Sequence, residues 1–227
     1  LITITNPRSL ENVHRKYENI AGSYIHNHRN KKKLRYIGVD DLNNVYECQG
    51  MITHYYCECL KKIYEKFKCK SFLEAGAGEL TTLATFYKKI KKKPTYFGAI
   101  DISFKRLKVG RRYLNKKGIF SKHIARADVS NIPFKDNSFD IVYTANCLEQ
   151  VPSLFLKSVK ELVRVSSKLV VIIEPSYEFS TEASKANVFN KGYTRINDDH
   201  FRKIGLKPLY RNHINFSYYT TRTEIVI

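Results

Sequence analysis

The stretch that decides the fold is Ser-Phe-Leu-Glu-Ala-Gly-Ala-Gly, residues 71–78. Its first residues are typical of a buried strand, and Gly76 and Gly78 follow directly. In residues 79–90 apolar side chains recur every three or four positions, which predicts a helix. A strand, a glycine turn and a helix in this order are typical of the start of a nucleotide-cofactor site. Glycines suit such a turn because a ligand can approach a backbone that carries no Cβ.

The residues after the turn distinguish between two kinds of cofactor. A dinucleotide site has a third glycine three positions after Gly78, but this position is Thr81. Glu79 brings negative charge to the helix start, where a phosphate would otherwise bind. A cofactor without phosphate therefore fits better. S-adenosylmethionine has an amino-acid end, a sulfonium and a nucleoside, and it favours nearby carboxylates.

Acidic residues stand at the ends of the next predicted strands. Asp101 ends the second strand 23 residues after Gly78, close to the offset of about 20 at which a carboxylate binds ribose hydroxyls. Asp128 ends the third strand, where it can accept a hydrogen bond from an adenine amino group. The predicted strands after the first cover residues 95–100, 123–127, 139–143 and 169–173.

Three segments taken together resemble the successive motifs of class I S-adenosylmethionine-dependent methyltransferases. They match in order and spacing, and the resemblance covers about residues 68–175. The branch that acts on quinones, sterols, sugars and other small molecules is the most similar one. The matching segments are 74–78, 98–103 and 127–142.

The resemblance implies a Rossmann-like α/β fold and a set of site residues. We expect a mostly parallel seven-stranded sheet with helices on both faces, and two C-terminal strands that form an antiparallel edge. S-adenosyl-L-methionine is the implied cofactor. The implied contacts are Glu74, Gly76 and Gly78 at the methionine end, Asp101 and Ile102 at the ribose, Asp128 and Val129 at the adenine, and Asn146 near the sulfonium.

Candidates for catalysis lie after the fourth strand and in the N-terminal region. Glu149 is a candidate general base, although a solvated helix cap explains a glutamate there equally well. Tyr17 and Tyr24 resemble the N-terminal segment that closes over the cofactor in small-molecule methyltransferases, with Tyr17 at the cofactor and Tyr24 as a catalytic candidate. Ordinary aromatic packing is the alternative for both.

The remainder of the chain predicts two parts. Residues 1–67 read as a helical extension or lid, with helices over 10–24 and 45–67, and residues 68–227 as the cofactor-binding domain. We find no apolar run of membrane-spanning length and no secretory signal, so we expect a cytoplasmic protein. The five cysteines indicate reduced thiols and not a metal site.

The chain has a strong positive charge, which does not by itself identify the kind of partner that it binds. With 40 basic and 21 acidic residues the net charge is +19. Three basic runs precede predicted strands: residues 66–70, 88–93 and 111–117. We therefore expect them on the edge of the sheet opposite the cofactor. There they would form a solvated surface or a docking face for an anionic partner. We expect a methyltransferase acting on an O, N or C atom of a small molecule. The alternatives are an RNA or protein methyltransferase and a non-catalytic scaffold.

Overall fold

The structure is a computed structural model that describes residues 9–23, 25, 35–39, 45–49, 52–218 and 221–227. Its α-helices are α1 (Leu10–Asn19), α2 (Ile52–Lys66), α3 (Thr81–Lys89), α4 (Phe104–Asn115), α5 (Phe155–Val165), α6 (Glu182–Asn190) and α7 (Asp198–Arg202). Its strands are β1 (Arg35–Val39), β2 (Val45–Gln49), β3 (Ser71–Ala75), β4 (Tyr96–Asp101), β5 (His123–Arg126), β6 (Phe139–Ala145), β7 (Ser166–Pro175), β8 (Arg211–Tyr218) and β9 (Thr221–Val226).

Within the described residues all strands belong to one sheet, in the order β2-β1-β8-β9-β7-β6-β3-β4-β5. The five strands from β7 to β5 are parallel, and β9 and β8 continue the sheet in antiparallel fashion. This arrangement confirms the predicted mostly parallel sheet of seven strands with an antiparallel C-terminal edge. The chain moves outward from β3 to β5 and then returns to the other side of β3 at β6. Such a reversal creates a crevice at the carboxyl ends of the strands, where ligands bind in open α/β sheets.

Apolar side chains of the sheet pack against helices on both faces, as predicted. On one face Phe72 of β3 lies in a cluster with residues of α2, α3 and α4. On the other face Leu73 lies in a cluster with residues of α5 and α7. Both side chains are fully buried, and each such burial contributes about 1.5–3 kcal/mol to folding. A parallel sheet covered on both faces requires strands that are apolar on both faces, which explains the apolar run before the glycine turn.

The N-terminal part differs from the sequence prediction. The helix predicted over residues 45–67 starts at Ile52, and Val45–Gln49 forms a strand instead. β2 pairs with β1 as an antiparallel hairpin, and β1 pairs with β8, so the sheet extends beyond the seven predicted strands. Gly50 explains part of the error, because a glycine inside a helix costs about 1 kcal/mol relative to alanine. The extension is therefore not purely helical.

Smaller differences follow from local packing. The apolar spacing of residues 154–165 predicts that Val163 faces inward with Phe155, Val159 and Leu162. In the structure those three are buried, but Val163 is 38% exposed. The pattern of residues 208–214 predicts a strand, but the strand begins later, at Arg211. Residues 176–200 show no clear period in the sequence, yet they include α6.

The basic runs lie where the topology predicts. They precede β3, β4 and β5, so they stand at the amino edge of the sheet, opposite the crevice. Their lysine and arginine side chains are exposed, except that Lys89 is partly buried. Among the helices of the described residues, none combines the length and apolar content needed to cross a membrane.

Candidate cofactor site

The glycine turn lies against the end of β4. Gly76 and Gly78 have φ angles of 75° and 52°, and Leu80, just before α3, has a φ of 59°. The main-chain N–H groups of Gly76 and Ala77 both donate to the carbonyl oxygen of Ile100, each at 2.9 Å. Positive φ angles are readily adopted by glycine and disfavoured for residues with a Cβ. The turn therefore requires glycines for its own backbone conformation.

Two side chains also lie directly on these glycines. A Cβ at Gly76 would stand 2.2 Å from Sγ of Cys147, and one at Gly78 would stand 2.2 Å from a guanidinium nitrogen of Arg106. The sequence explained the glycines by the approach of a ligand. The structure adds that neighbouring side chains occupy the space, so a Cβ would have to displace Cys147 at Gly76 and the guanidinium of Arg106 at Gly78.

Asp101 connects the end of β4 to the glycine turn. Its Oδ2 accepts a hydrogen bond from the N–H of Gly78 at 2.7 Å, and its Oδ1 accepts one from the N–H of Ser103 at 2.8 Å. The residue is 5% exposed. Each oxygen still has a lone pair for a further donor, so the carboxylate can accept from a diol without losing these bonds.

The predicted adenine contacts lie on the neighbouring strand. Asp101 pairs with Arg126 of β5, and Asp128 and Val129 follow at the end of that strand. The Asp128 Oδ1 accepts from the N–H of Ser130 at 2.8 Å, and Val129 is buried. The carbonyl oxygen of Ile102, the other predicted contact, accepts from the Arg126 side chain at 3.1 Å. These residues therefore stand side by side at the carboxyl edge.

Glu74 lies deeper than the rest of the predicted set. It belongs to β3 and is 2% exposed, and its Oε2 accepts from the hydroxyl of Tyr143 at 3.2 Å. Burial raises the pKa of the Glu74 carboxyl to about 8. The group is thus mostly protonated at neutral pH, and its contact with a cofactor stays a prediction.

The turn after β6 is organised by a buried glutamate, Glu174. The Oε1 of Glu174 accepts from the N–H groups of Cys147 and Leu148 at 3.0 and 2.9 Å, and its Oε2 accepts from the N–H of Glu149 at 3.1 Å. Burial, and after it the charge of Glu149, raises the pKa of Glu174 to about 8. The position of Glu174 after the fifth predicted strand makes it a further catalytic candidate, but its oxygens are engaged in holding this turn.

The candidate residues on this turn face different partners. Asn146 adopts a φ of 55°, and its N–H donates to the carbonyl oxygen of Ile173 at 2.9 Å. Its Nδ2 donates to the hydroxyl of Tyr56 at 3.3 Å. Glu149 is 7% exposed and its Oε1 accepts from the side chain of Gln150. The catalytic role of Glu149 stays a prediction.

Tyr56 of α2 contacts the predicted site residue Asn146, and the sequence did not indicate this contact. It is 2% exposed, its hydroxyl contacts Asn146, and it also lies 3.4 Å from the hydroxyl of Thr223. Burial raises the pKa of Tyr56 well above its usual range, so the hydroxyl stays protonated at neutral pH. Its spacing in α2 is that of an ordinary core residue, which is why no pattern marked it.

An N-terminal strap, formed by α1 and the described residues that follow it up to Ile25, lies against the starts of α3 and α4 at the carboxyl edge of the sheet. The Glu79 Oε1 accepts from the N–H of Gly22 at 2.9 Å, and its Oε2 accepts from the N–H of Ile25 at 2.8 Å. The ring of Tyr17 lies 4.8 Å from the guanidinium carbon of Arg106. Tyr24 lies outside the described residues. In the sequence analysis Glu79 indicated only that phosphate binding at this helix is unfavourable. The structure shows that it also binds the strap.

The comparisons with known proteins fit this geometry. Residues 73–173 match the family described as a methyltransferase domain. This segment is a methyltransferase domain. The match confirms the resemblance to class I S-adenosylmethionine-dependent methyltransferases and S-adenosylmethionine as the cofactor of the family.

Relatives of the methyltransferase domain include proteins of quinone biosynthesis. The chain is 28% identical to the demethylmenaquinone methyltransferase of Staphylococcus saprophyticus over 75% of this chain and 65% of that protein. It is 35% identical to the ubiquinone/menaquinone biosynthesis C-methyltransferase UbiE of Shewanella frigidimarina over 48% of this chain and 41% of that protein. The chain therefore spans less than two thirds of the length of these relatives.

Among solved structures, the [4+2]-cyclase SpnF has the same fold over almost its full length. The TM-score is 0.69 and the sequence identity 11%, with 95% of this chain and 94% of that chain covered. Such a low identity establishes the fold alone. The fold is therefore shared by proteins whose names describe different reactions.

Proposed function

We propose that this chain is an S-adenosylmethionine-dependent methyltransferase that acts on a small-molecule acceptor. The observation that carries the proposal is Asp101, a buried carboxylate at the end of β4 that is hydrogen-bonded to the glycine turn inside the methyltransferase domain. An acidic residue in this place binds a ribose in nucleotide-cofactor folds.

The chemistry of the side chains fits this cofactor. Asp101 and Asp128 lie at the crevice, and Glu79, just before α3, brings negative charge near the helix start, where a phosphate would otherwise bind. S-adenosylmethionine supplies a methyl group on a positively charged sulfur. Asp101 and Ile102 would bind the ribose, and Asp128 and Val129 the adenine. Glu74, Gly76 and Gly78 would surround the methionine end, with Asn146 near the sulfonium.

The acceptor would approach from the turn after β6. Glu174 fixes this turn through three main-chain N–H groups, so Asn146 and Glu149 are held in place without a ligand. Methyl transfer needs an in-line nucleophile, and much of the rate can come from orientation. Glu149 would remove a proton from an O–H or N–H acceptor, and Tyr24 is the second candidate for contact with the acceptor. The quinone relatives make a demethylated quinol the first acceptor to try.

Two measurements test the proposal. Calorimetry with S-adenosylhomocysteine should show binding to the full chain, and radiolabelled S-adenosylmethionine should label a demethylated quinol or another small acceptor. Binding without labelling of any small molecule would favour the scaffold alternative or a different reaction on this fold. Failure to bind S-adenosylhomocysteine at all would refute the assignment.

The basic amino edge favours a second partner. We propose that exposed lysines such as Lys68, Lys92 and Lys117 contact an anionic surface, because their charge is concentrated on one edge of the sheet. This edge lies opposite the crevice, so it argues for docking and against the alternative in which RNA is the methylated substrate. Binding to a polyanion should weaken steeply with salt. RNA labelled in the methyl-transfer assay would instead support the RNA methyltransferase.

Two further expectations belong to this proposal. The division into an N-terminal extension, residues 1–67, and a cofactor-binding domain, residues 68–227, is retained as a proposal. A cytoplasmic location is also retained, because Cys57, Cys59, Cys69 and Cys147 are free thiols, which suits a reducing compartment.

A further inference from the structure

Arg106 lies between three parts of the molecule that meet at the crevice. It stands in the first turn of α4, where the hydroxyl of Ser103 accepts its N–H at 3.2 Å and caps the helix. Its guanidinium carbon is 2.5 Å from the place where a Cβ of Gly78 would stand, so the guanidinium lies on the glycine turn. The ring of Tyr17 from the strap lies 4.8 Å from the same carbon. The guanidinium therefore contacts both the turn and the strap.

Two carboxylates flank the same guanidinium. Arg106 Nη1 is 4.0 Å from Oδ2 of Asp101, and its Nε is 4.0 Å from Oε1 of Glu79. The residue is 8% exposed. A cation buried to this extent needs opposite charges nearby, since its desolvation would otherwise cost several kcal/mol. Asp101 and Glu79 supply those charges, and they are the residues that hold the ribose position and the strap.

We propose that Arg106 is a positioning residue that couples closure of the strap to binding of the cofactor. This inference rests on the proposed function, because it assigns Asp101 to the ribose. Arg106 holds the ring of Tyr17 at the start of α4 and keeps the two carboxylates oriented between the turn and α4. A flat, delocalised cation suits this place, because arginine can stack on a ring while its edge faces carboxylates.

The strap offers a direct readout. The N–H groups of Gly22 and Ile25 are bound to Glu79 only while the strap lies against the start of α3, so their hydrogen exchange reports its opening. If Arg106 holds the strap, Arg106→Leu should speed exchange at both amides about tenfold or more. The same variant should weaken binding of S-adenosylhomocysteine about tenfold or more.

The variants of Tyr17 separate positioning from general stability. Tyr17→Phe keeps the ring over the guanidinium, so the amides of Gly22 and Ile25 should exchange more slowly in this variant than in Tyr17→Leu. Tyr17→Leu removes the ring and should resemble Arg106→Leu, and the double variant should be no worse than either single one, since both act through one contact. Arg112→Leu is the matched control, because Arg112 is an exposed arginine of the same helix.

The experiment uses the full chain with and without S-adenosylhomocysteine, measured by hydrogen exchange and calorimetry. The proposal is overturned if Arg106→Leu leaves both the hydrogen exchange of Gly22 and Ile25 and the affinity for S-adenosylhomocysteine unchanged. It is also overturned if Arg106→Leu binds S-adenosylhomocysteine more tightly, or if the effects of Arg106→Leu and Tyr17→Leu are fully additive. If Arg106→Leu does not fold, Tyr17→Leu against Tyr17→Phe decides the question. A wild type that does not bind S-adenosylhomocysteine refutes the proposed function, whereas the exchange measurement still tests the contact between Arg106 and the strap.

Discussion

Replacing Asp101 by alanine tests the central residue of the site. The change removes the acceptor for two buried N–H groups, those of Gly78 and Ser103, at 2.7 and 2.8 Å. A hydrogen bond to a charged group contributes about 1.5–3 kcal/mol, so the free energy of unfolding should fall by about 3–6 kcal/mol. The two bonds to a ribose diol would be lost as well. Affinity for S-adenosylhomocysteine should therefore decrease at least about tenfold, or about 1.4 kcal/mol.

Stability and binding are measured separately for this variant. Urea unfolding is followed by circular dichroism, since the chain has no tryptophan. Calorimetry at a temperature where the variant is folded gives the dissociation constant. Asp136→Ala is the matched control: its side chain is 68% exposed and pairs with Arg164 at 2.7 Å on the surface. Such a pair contributes about 0–1 kcal/mol, so the control should change little.

The outcome can contradict the reasoning in two ways. If Asp101→Ala unfolds at the same urea concentration as the wild type, the two N–H bonds do not stabilise the turn. If its dissociation constant is unchanged, Asp101 does not bind the cofactor, whatever its effect on stability.

Three more variants test other parts of the site. In urea titrations Gly78→Ala should lower the free energy of unfolding by more than Gly118→Ala. Both glycines have a positive φ, 52° and 67°, but only Gly78→Ala places a methyl group on Arg106. Equal losses in the two variants would contradict this. Glu174→Gln should flatten the pH dependence of stability between pH 4.5 and about 8. Between these pH values the folded state keeps a proton on Glu174, whereas the unfolded state releases it. The free energy of unfolding of the wild type therefore falls with rising pH by up to about 1.4 kcal/mol per pH unit. The same slope in Glu174→Gln would refute the raised pKa. Glu149→Gln should lower kcat for an O–H or N–H acceptor about 100-fold or more if Glu149 is the base, and an unchanged kcat would exclude that role.

The sequence was sufficient for those features that depend on local pattern. The apolar run before Gly76 predicted a strand covered on both faces. The spacing of 23 residues from Gly78 singled out Asp101, whose contact with a ribose stays a prediction, and the structure adds its bond to the turn. The patterns that indicate strands, turns and helices involve residues that are close in the sequence, so they can be recognised from one sequence alone.

The features that the sequence did not reveal depend on contacts between distant residues. Gly22 and Glu79 are 57 positions apart, and Tyr56 and Asn146 are 90 positions apart. Arg106 in the first turn of α4 looks like any basic helix residue until the fold places it on Gly78. The capping serine at position 103 was the one local signal that set its position, since it fixes where α4 begins at the crevice.

The β1–β2 hairpin has a consequence for how the chain can be shortened. β8 pairs with β9 on one side and with β1 on the other, so its main-chain groups have neighbours on both flanks. A fragment starting at residue 52 would turn β8 into an open border, and such borders recruit strands from other molecules. Self-association and precipitation are the expected behaviour of that fragment, even though it would retain the whole methyltransferase domain.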